Sequence, residues 1–305
     1  MSTVHEFEPT HFHTTIGSHE PVLRIRSGDA IRTWTVDSGG YDGNGEHRTP
    51  GGNPQTGPFY VEDAEPGDTL RVRFQSIRPN RARGVSGAWV APHTVDPHFV
   101  PRLGHDGEDW WVLDLERGVA ELENPPQGLE SLGKLPFEPM LGCFGVAPAQ
   151  GQAISCATSG EHGGNMDYRG FREGVTVDFP VFATGGLFHL GDGHALQGDG
   201  EIVGTGIEVS MDVQFSLDLL KGRTIRWPRA DDGTFVMAVG NARPLDQAVQ
   251  HATTELLRIL EQDHGLDYRA GSALLGQSIR YDIGNVYDPA YTVVAKIEKQ
   301  LLERL

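Results

Sequence analysis

Residues 185 to 217 read Gly-Gly-Leu-Phe-His-Leu-Gly-Asp-Gly-His-Ala-Leu-Gln-Gly-Asp-Gly-Glu-Ile-Val-Gly-Thr-Gly-Ile-Glu-Val-Ser-Met-Asp-Val-Gln-Phe-Ser-Leu, and this stretch decides the expected fold. From Ile207 to Leu217, apolar residues alternate with polar ones, which is the period of a strand with one buried face. Upstream, residues 181 to 190 are mostly apolar and predict a second strand. The glycines between them allow tight turns. The pattern therefore predicts a polar segment held between two strands.

The polar segment carries the donor types of a metal site or an acid–base site. Its polar side chains are His189, Asp192, His194, Gln197, Asp199 and Glu201. Carboxylates and imidazoles at this density suit a divalent cation, or acid–base chemistry beside one. The alternative is a solvated, glycine-rich surface loop. Because strong strands flank the segment, the sequence favours an anchored site.

Composition and periodicity together predict a mostly β protein. The 305 residues include 40 glycines and 19 prolines, which indicates many tight turns and short strands. From Leu245 to Asp263, apolar residues recur every three or four positions, which predicts an amphipathic helix with Pro244 in its first turn and Gly265 at its end. We expect a β-sandwich-like domain carrying the site at residues 1–220, and an α+β cap packed on it at 221–305.

The charge and the cysteine content exclude several classes of protein. A net charge of −17 disfavours nucleic acid and anionic membranes, so a neutral or cationic ligand is expected. Cys143 and Cys156 make no disulfide framework. The first residues lack the basic start and apolar core of a signal peptide, and no apolar run approaches the ~18 residues of a membrane span. A cytoplasmic location without a membrane partner is the expectation.

Three Gly-Asp pairs, at residues 28–29, 67–68 and 191–192, predict recurring hairpin turns in the sandwich. Between the first two pairs, residues 37–53 form a glycine-rich stretch with little apolar content. A loop of this length inside a compact domain is usually functional or disordered. Asp37 comes directly after an apolar strand, so its carboxylate is expected to project from the strand end.

A second polar block occupies residues 159–167 and includes His162, Asn165 and Asp167 on a glycine-rich backbone. It precedes an apolar strand at residues 175–183 that leads into the first stretch. A hairpin-like excursion could therefore bring these side chains close to Asp192 and His194. The alternative is that Asn165 and Asp167 only make local turn hydrogen bonds.

Three ordered blocks resemble one known family. Asp192-Gly-His194-Ala-Leu-Gln197-Gly-Asp199-Gly-Glu201 resembles the signature of the acetamidase/formamidase family of amide hydrolases. His162-Gly-Gly-Asn165-Met-Asp167 and Thr56-Gly-Pro-Phe-Tyr-Val61-Glu62 are similar to two further blocks, and the similarity runs from about residue 20 to about residue 295. The resemblance implies an acidic residue near position 37. It also implies hydrolysis of a linear amide such as formamide or acetamide to a carboxylate and ammonia, and a homo-oligomer, with a dimer preferred.

Amide hydrolysis requires an activated carbonyl, a nucleophile and a proton for the departing nitrogen, and a metal ion can provide the first two. No Gly-x-Ser-x-Gly motif is present, and the apolar neighbours of Cys143 indicate a structural cysteine. We therefore predict Asp37, Asp192 and His194 as metal ligands. Catalytic roles are predicted for Glu201, His162 and Asp167, and substrate binding for Asn165 and Gln197, with Asp42, Glu46 and His47 as further candidates. Zinc is the preferred ion, and calcium or magnesium stays open.

Two other functions compete with this hypothesis. One is a non-catalytic metal- or sugar-binding β-sandwich in which residues 192–201 hold a structural calcium ion. Structural sites for hard cations rarely use histidine, whereas this chain offers His162, His189 and His194 beside its acids. The other is a related hydrolase whose substrate is a cyclic amide or a carbamate. The substrate in each enzymatic case is a small neutral molecule.

Overall fold

The structure of the protein, a computed structural model, describes residues 2–105 and 107–305. Its strands, in chain order, are β1 (Val4–Glu6), β2 (Thr15–Gly17), β3 (Leu23–Ile25), β4 (Asp29–Thr35), β5 (Gln55–Val61), β6 (Thr69–Pro79), β7 (Arg83–Gly87), β8 (Glu108–Asp114), β9 (Val119–Leu122), β10 (Leu135–Pro136), β11 (Met140–Gly145), β12 (Ala153–Ser155), β13 (Ser159–Gly160), β14 (Gly163–Asn165), β15 (Thr176–Pro180), β16 (Phe188–His194), β17 (Met211–Leu220), β18 (Arg229–Asp231), β19 (Phe235–Ala242), β20 (Arg280–Asn285) and β21 (Tyr291–Glu298). The α-helices are α1 (Leu245–His264), α2 (Tyr268–Ser278) and α3 (Lys299–Leu302), and 3₁₀ turns span Pro92–Thr94, Val100–Arg102 and Ala149–Gly151.

Two large sheets enclose the main hydrophobic core. A nine-stranded sheet has the order β1-β4-β17-β6-β15-β18-β19-β21-β20, and a six-stranded sheet has the order β13-β14-β11-β16-β5-β3. Aromatic rings from the two sheets meet between them, as Phe59 does with Phe215 at 5.5 Å and Phe74 with Phe144 at 5.1 Å between ring centroids. Because each strand turns its alternate apolar residues inward, both sheets are held by one core. The predicted mostly β, sandwich-like fold is confirmed.

The C-terminal part adds helices to the outside of the large sheet. Helix α1 begins after Pro244 and ends at His264, and Gly265 caps it with a φ of 65°, which suits glycine. Its buried face packs against β19 and β21, in a second core that includes Leu256 and Val293. The predicted amphipathic helix is therefore confirmed. None of the helices in the described part of the chain combines the length and the apolar composition that a membrane crossing requires.

The C-terminal strands extend the nine-stranded sheet. Strand β18 pairs with β15, and β19 and β21 continue from it in antiparallel register. Residues on both sides of position 220 thus share one hydrogen-bonded sheet. The division into a domain at residues 1–220 and a cap at 221–305 stays a prediction.

The Gly-Asp pairs are not hairpin turns, contrary to the sequence prediction. Strand β4 begins at Asp29, directly after Gly28, and β3 and β4 belong to different sheets: β3 pairs with β5, and β4 pairs with β17. Gly67 and Asp68 likewise lie between β5 of the six-stranded sheet and β6 of the nine-stranded sheet. Gly191 and Asp192 lie inside β16. The local sequence of a turn and that of a sheet-to-sheet crossing are alike, because both need a flexible backbone and a polar cap.

The strand predicted from Ile207 to Leu217 begins later, at Met211. Before it, Glu208 makes isolated antiparallel bridges to Val85 and to His194. The alternating pattern places Glu208 on a solvent-facing side, yet Glu208 is buried, whereas Asp212 is exposed as expected. Packing of this segment between β7 and β16 therefore overrides the alternation.

Candidate active site

The candidate site forms around Gly142 in the middle of β11, between β14 and the end of β16. In the strand register, Met140 lies opposite His194 and Cys143 lies opposite Asn165. A Cβ atom added to Gly142 would lie 2.1 Å from Oδ1 of Asp167, 2.7 Å from Oδ2 of Asp192 and 3.2 Å from Cε1 of His194. These three side chains, predicted from separate blocks of sequence, therefore converge on a space that only glycine leaves open.

His194 has a fixed orientation within this space. Its Nδ1 lies 2.8 Å from Oε1 of Gln197, and Nε2 of Gln197 donates to the backbone oxygen of Asp167 at 2.6 Å. The second bond fixes the orientation of the Gln197 amide, so that its oxygen faces His194. Because an amide oxygen can only accept a hydrogen bond, Nδ1 of His194 donates and carries the proton. The other ring nitrogen, Nε2, lies 2.8 Å from Oε1 of Glu208 and 3.4 Å from Oδ1 of Asp192. This nitrogen faces two carboxylates, and in its deprotonated form it can act as a metal ligand.

Amide side chains form hydrogen bonds with the carboxylates of the cluster. Nδ2 of Asn285 lies 2.7 Å from Oδ2 of Asp167, 2.8 Å from Oε2 of Glu201 and 2.8 Å from Oδ2 of Asp288. Asn165 donates to Asp288. The sequence blocks that carry Asp167 and Glu201 are thus joined through a third segment near the C-terminus.

A second amide connects the loop before β5 to the site. Nδ2 of Asn53 donates to Oδ1 of Asn165 at 3.0 Å and to Oδ2 of Asp192 at 3.2 Å. It therefore joins the block of residues 159–167 to the block of residues 192–201, as the hairpin-like excursion predicts.

Three site acids have an unusual backbone conformation. The φ angles of Asp167, Asp192 and Glu201 are 42°, 60° and 48°. Such left-handed angles are uncommon outside glycine and are found preferentially at functional sites, where the surrounding structure holds them. Asp167 and Asp192 lie beside the space over Gly142, and a carboxylate oxygen of Glu201 lies within 4.8 Å of ligand atoms of Asp167 and His194.

The electrostatics of the cluster favour a bound cation. Burial is the largest cause that raises the pKa of Asp167, Asp192 and Glu201; neighbouring carboxylates also raise it, and His194 lowers it. For His194, burial lowers the pKa, but the charges of Glu208 and Asp192 outweigh that effect and raise it well above its ordinary value. Within residues 2–105 and 107–305, no lysine or arginine pairs with these carboxylates or with Glu208.

The donor set fits a divalent metal ion. Ligand atoms of Asp167, His194 and Glu201 lie within 4.8 Å of one another, and so do those of Asp192, His194 and Glu208. Buried Oδ1 of Asp167 and Oε2 of Glu208 lack hydrogen-bond partners among the described residues. One imidazole with several carboxylates suits zinc, and the oxygen-rich remainder also suits calcium or magnesium.

Asp37 lies apart from both ligand groups. Its Oδ2 accepts a hydrogen bond from Nη2 of Arg81 at 2.6 Å, and its Oδ1 accepts one from the backbone N–H of Tyr41 at 2.9 Å. Asp37 and Glu208 line the same cavity, which has a volume of about 550 Å³. The predicted role of Asp37 as a metal ligand stays a prediction, and the ion pair with Arg81 competes with it.

The other candidates in the loop after β4 are engaged locally. Asp42 accepts hydrogen bonds from the backbone N–H groups of Asn44 and Glu46. The carboxylate of Glu46 lies 3.4 Å from Arg48, and the ring of His47 lies 4.8 Å from that of Tyr41. None of the three belongs to the two ligand groups found among the described residues.

His162 lies in the turn between β13 and β14, and it is buried. Burial lowers its pKa to about 4, so the ring is neutral near pH 7. Its Nε2 has no hydrogen-bond partner among the described residues, and His162 is not in either ligand group. Its catalytic role stays a prediction.

The two cysteines behave as structural residues. Both are free and buried, and they form a small core with Ile16. Burial raises the pKa of Cys143 well above its ordinary value, so its thiol stays protonated.

Comparison with known proteins identifies the family of this chain. A profile of the Acetamidase/Formamidase family matches residues 134–245. The crystal structure of an acetamidase from Yersinia enterocolitica superposes with a TM-score of 0.84 at 30% identity, over 99% of this chain and 93% of that one. The chain belongs to the acetamidase/formamidase family. The resemblance predicted from the three sequence blocks is thereby confirmed.

Other members of the acetamidase/formamidase family are similar over different lengths. A crystal structure described as a predicted acetamidase/formamidase from Thermoanaerobacter tengcongensis has a TM-score of 0.84 at 28% identity, over 100% of this chain and 98% of that one. A protein of Schizosaccharomyces pombe named as a formamidase is 26% identical over 215 residues, which is 54% of this chain. That match spans about half of the relative, 51% of its length.

Four site residues of this family member escaped the sequence analysis: Asn53, Glu208, Asn285 and Asp288. Asn285 is the last residue of β20 and Asp288 follows it; polar side chains often gather at a strand end, so that position is a signal that could have revealed them. Glu208 gives no such signal because it has the period of a solvent-facing strand residue. Asn53 is one of many polar residues in the glycine-rich loop, and nothing in the local sequence distinguishes it.

Proposed function

We propose that this chain hydrolyses a linear amide, of the formamide or acetamide type, to a carboxylate and ammonia, with a divalent metal ion held in the cluster around Gly142. Zinc is the preferred ion because His194 is a ligand in both candidate groups. The observation that carries the proposal is the convergence of one oriented imidazole and several buried carboxylates, with no lysine or arginine partner among the described residues, on the space over Gly142. Family membership supplies the reaction class.

Asp192, His194 and Glu208 would hold the ion, and the alternative ligand group consists of Asp167, His194 and Glu201. When bound, such an ion polarises a carbonyl and makes water a nucleophile at neutral pH. A water oxygen then bonds to the carbonyl carbon, the C–N bond breaks, and the nitrogen takes up a proton and leaves as ammonia.

Glu201 has the properties of the acid in this reaction. Burial raises the pKa of its carboxyl well above the ordinary value, and a protonated carboxyl at this position would donate a proton to the departing nitrogen. Its Oε2 is positioned by Asn285. Gln197 keeps the proton of His194 on Nδ1, and this contact supports a positioning role for Gln197 beside its predicted role in substrate binding.

Ammonia release from a panel of amides tests the proposal. The panel contains formamide, acetamide, a lactam and a carbamate, and each is assayed before chelation, after chelation, and after addition of zinc, calcium or magnesium. We expect release from the linear amides, loss on chelation and recovery with zinc. Release only from the lactam or the carbamate would identify the related hydrolase, and metal binding without any ammonia would identify the non-catalytic binding module.

Three further expectations accompany the proposal and depend on separate measurements. A homo-oligomer, with a dimer preferred, is tested by light scattering. A cytoplasmic location is tested by fractionation. The substrate partner is a small neutral amide, in keeping with the net charge of −17.

A further inference from the structure

Four residues lie side by side across neighbouring chain segments and connect the carboxylate cluster to a large cavity. His194 pairs with Glu208, Glu208 pairs with Val85, and Val85 pairs with Trp110, each time in antiparallel register. Directly paired residues of antiparallel strands project from the same face. Because neighbouring strands lie roughly 4.8 Å apart, the backbone of Trp110 lies about 10 Å from that of Glu208. The distance between Trp110 and the cluster is therefore about the length of a small organic molecule.

The cavity at this face is much larger than a formamide or acetamide molecule. It has a volume of about 550 Å³, and its lining includes Glu208, Val85, Trp110 and Tyr41. Sites for drug-sized ligands have volumes of roughly 300–1,000 Å³. An amide with only a few non-hydrogen atoms would leave most of this space to water. The volume indicates a substrate with a substantial group attached to its amide.

The exposed part of Trp110 forms an aromatic surface in the cavity. The side chain is 37% exposed, and the guanidinium carbon of Arg83 lies 4.1 Å from the centroid of its ring. Arg83 is in turn held by two hydrogen bonds of 2.8 Å to Glu123. Tyr41, which is 44% exposed, adds a second aromatic ring to the lining. Exposed aromatic rings in a cavity lining favour contact with a flat apolar group of a ligand.

The charges of the lining disfavour an anionic ligand. The two arginines of the cavity are neutralised, Arg81 by Asp37 and Arg83 by Glu123. Glu108 and Glu208 also line the cavity, and neither pairs with a lysine or arginine within the described residues. A negatively charged substituent would be repelled here.

We propose that this cavity binds the acyl side chain of the substrate, and that Trp110 selects neutral amides carrying an aromatic ring separated from the carbonyl by a short linker, such as phenylacetamide. The assignment rests on the proposed amide hydrolysis. The products are phenylacetate and ammonia, by the same addition of water and cleavage of the C–N bond. Trp110 is a specificity-determining residue that takes no part in the bond changes.

The test compares phenylacetamide with acetamide as substrates of the wild-type protein and of three variants: Trp110→Ala, Trp110→Phe and Phe99→Ala. Phe99 is a matched control, because it is 40% exposed and lies outside the cavity lining. We expect kcat/KM for phenylacetamide to exceed that for acetamide by at least about tenfold. Trp110→Ala removes most of that preference, mainly through KM, and changes kcat/KM for acetamide less than about twofold. Trp110→Phe keeps the preference, and Phe99→Ala resembles the wild type.

Ligand-observed NMR with phenylacetamide gives a readout that does not need turnover. Loss of the binding signal in Trp110→Ala, but not in Phe99→Ala, supports the cavity assignment. If this result is obtained and no amide is hydrolysed, the proposed function is wrong while the cavity assignment holds. Hydrolysis of acetamide with no preference for phenylacetamide overturns the cavity assignment and leaves the proposed function intact. Equal losses for both amides in Trp110→Ala indicate a structural role and also overturn it.

Discussion

Nε2 of His194 lies 2.8 Å from Oε1 of Glu208, and both side chains are buried. The two residues are bridge partners on adjacent segments, so their approach is set by the backbone as well as by the side chains. Because Nδ1 of the same ring donates to Gln197, Nε2 faces the carboxylate, and a proton or a cation between Nε2 and Glu208 offsets the negative charge of Glu208. This relationship makes Glu208 the most informative residue for mutation.

Glu208→Gln is expected to weaken metal binding and amide hydrolysis by about 10- to 100-fold. In the wild type, the backbone nitrogen of Gly206 donates to Oε1 of Glu208 at 3.2 Å. The side-chain oxygen of the substituted glutamine can still accept this hydrogen bond, so the fold is retained. Metal content after dialysis and ammonia release are measured together. Glu121→Gln, at an exposed ion pair with Lys134, is the control and should behave as the wild type. Full metal content in Glu208→Gln would remove this residue from the ligand set.

Gly142→Ala is expected to abolish metal binding and to lower activity by at least about 100-fold, because the new methyl group would occupy the space shared by Asp167, Asp192 and His194. Gly198→Ala is the matched control in the signature block, since a Cβ there meets no atom within 4 Å. Isothermal titration with zinc and the amide assay give the two readouts. Unchanged zinc affinity in Gly142→Ala would contradict the placement of the metal site.

The lowered pKa of the buried His189 predicts that the protein loses stability in acid. Burial, with smaller effects of His19 and His13, lowers its pKa from 6.5 to about 3, and its Nδ1 donates to the backbone oxygen of Leu187 at 3.0 Å. Between about pH 6.5 and pH 3 the unfolded chain binds the proton and the folded chain does not, so the free energy of unfolding falls as the pH falls. The loss is on the order of 5 kcal/mol when complete.

The variant His189→Asn keeps a donor for Leu187 and removes the titration. Urea unfolding at a series of pH values should therefore show a flatter decline in acid for His189→Asn than for the wild type. Parallel declines in the two proteins would assign the acid sensitivity to other groups.

Phe144→Ala is expected to lower the free energy of unfolding by about 3–5 kcal/mol, as for other large buried aromatic residues. The ring is fully buried and meets those of Phe74, Phe171 and Phe179 edge-on, at 5.1, 5.1 and 5.7 Å between centroids. Chemical denaturation provides the measurement. Phe99→Ala, at an exposed ring, should stay within about 0.5 kcal/mol of the wild type. A similar small change in Phe144→Ala would mean that the two sheets are not held by this cluster.

Local patterns predicted much of the fold and part of the site. The spacing of apolar residues identified α1, and the ordered blocks identified Asp192, His194 and Glu201, because these features depend on residues a few positions apart. The Gly-Asp pairs failed as hairpin signals since a turn within a sheet and a crossing between sheets have the same local needs.

By itself, the sequence determined the mostly β fold, the amphipathic C-terminal helix and the family, since each follows from short-range periodicity or from contiguous blocks. Only the tertiary structure decided that Glu208 faces His194, that Asn285 joins Asp167 to Glu201, and that Asp37 pairs with Arg81. These contacts join residues far apart in the chain, and a side chain's burial depends on what packs against it. The environment of a carboxylate is therefore a property of the assembled sheets, which no local pattern encodes.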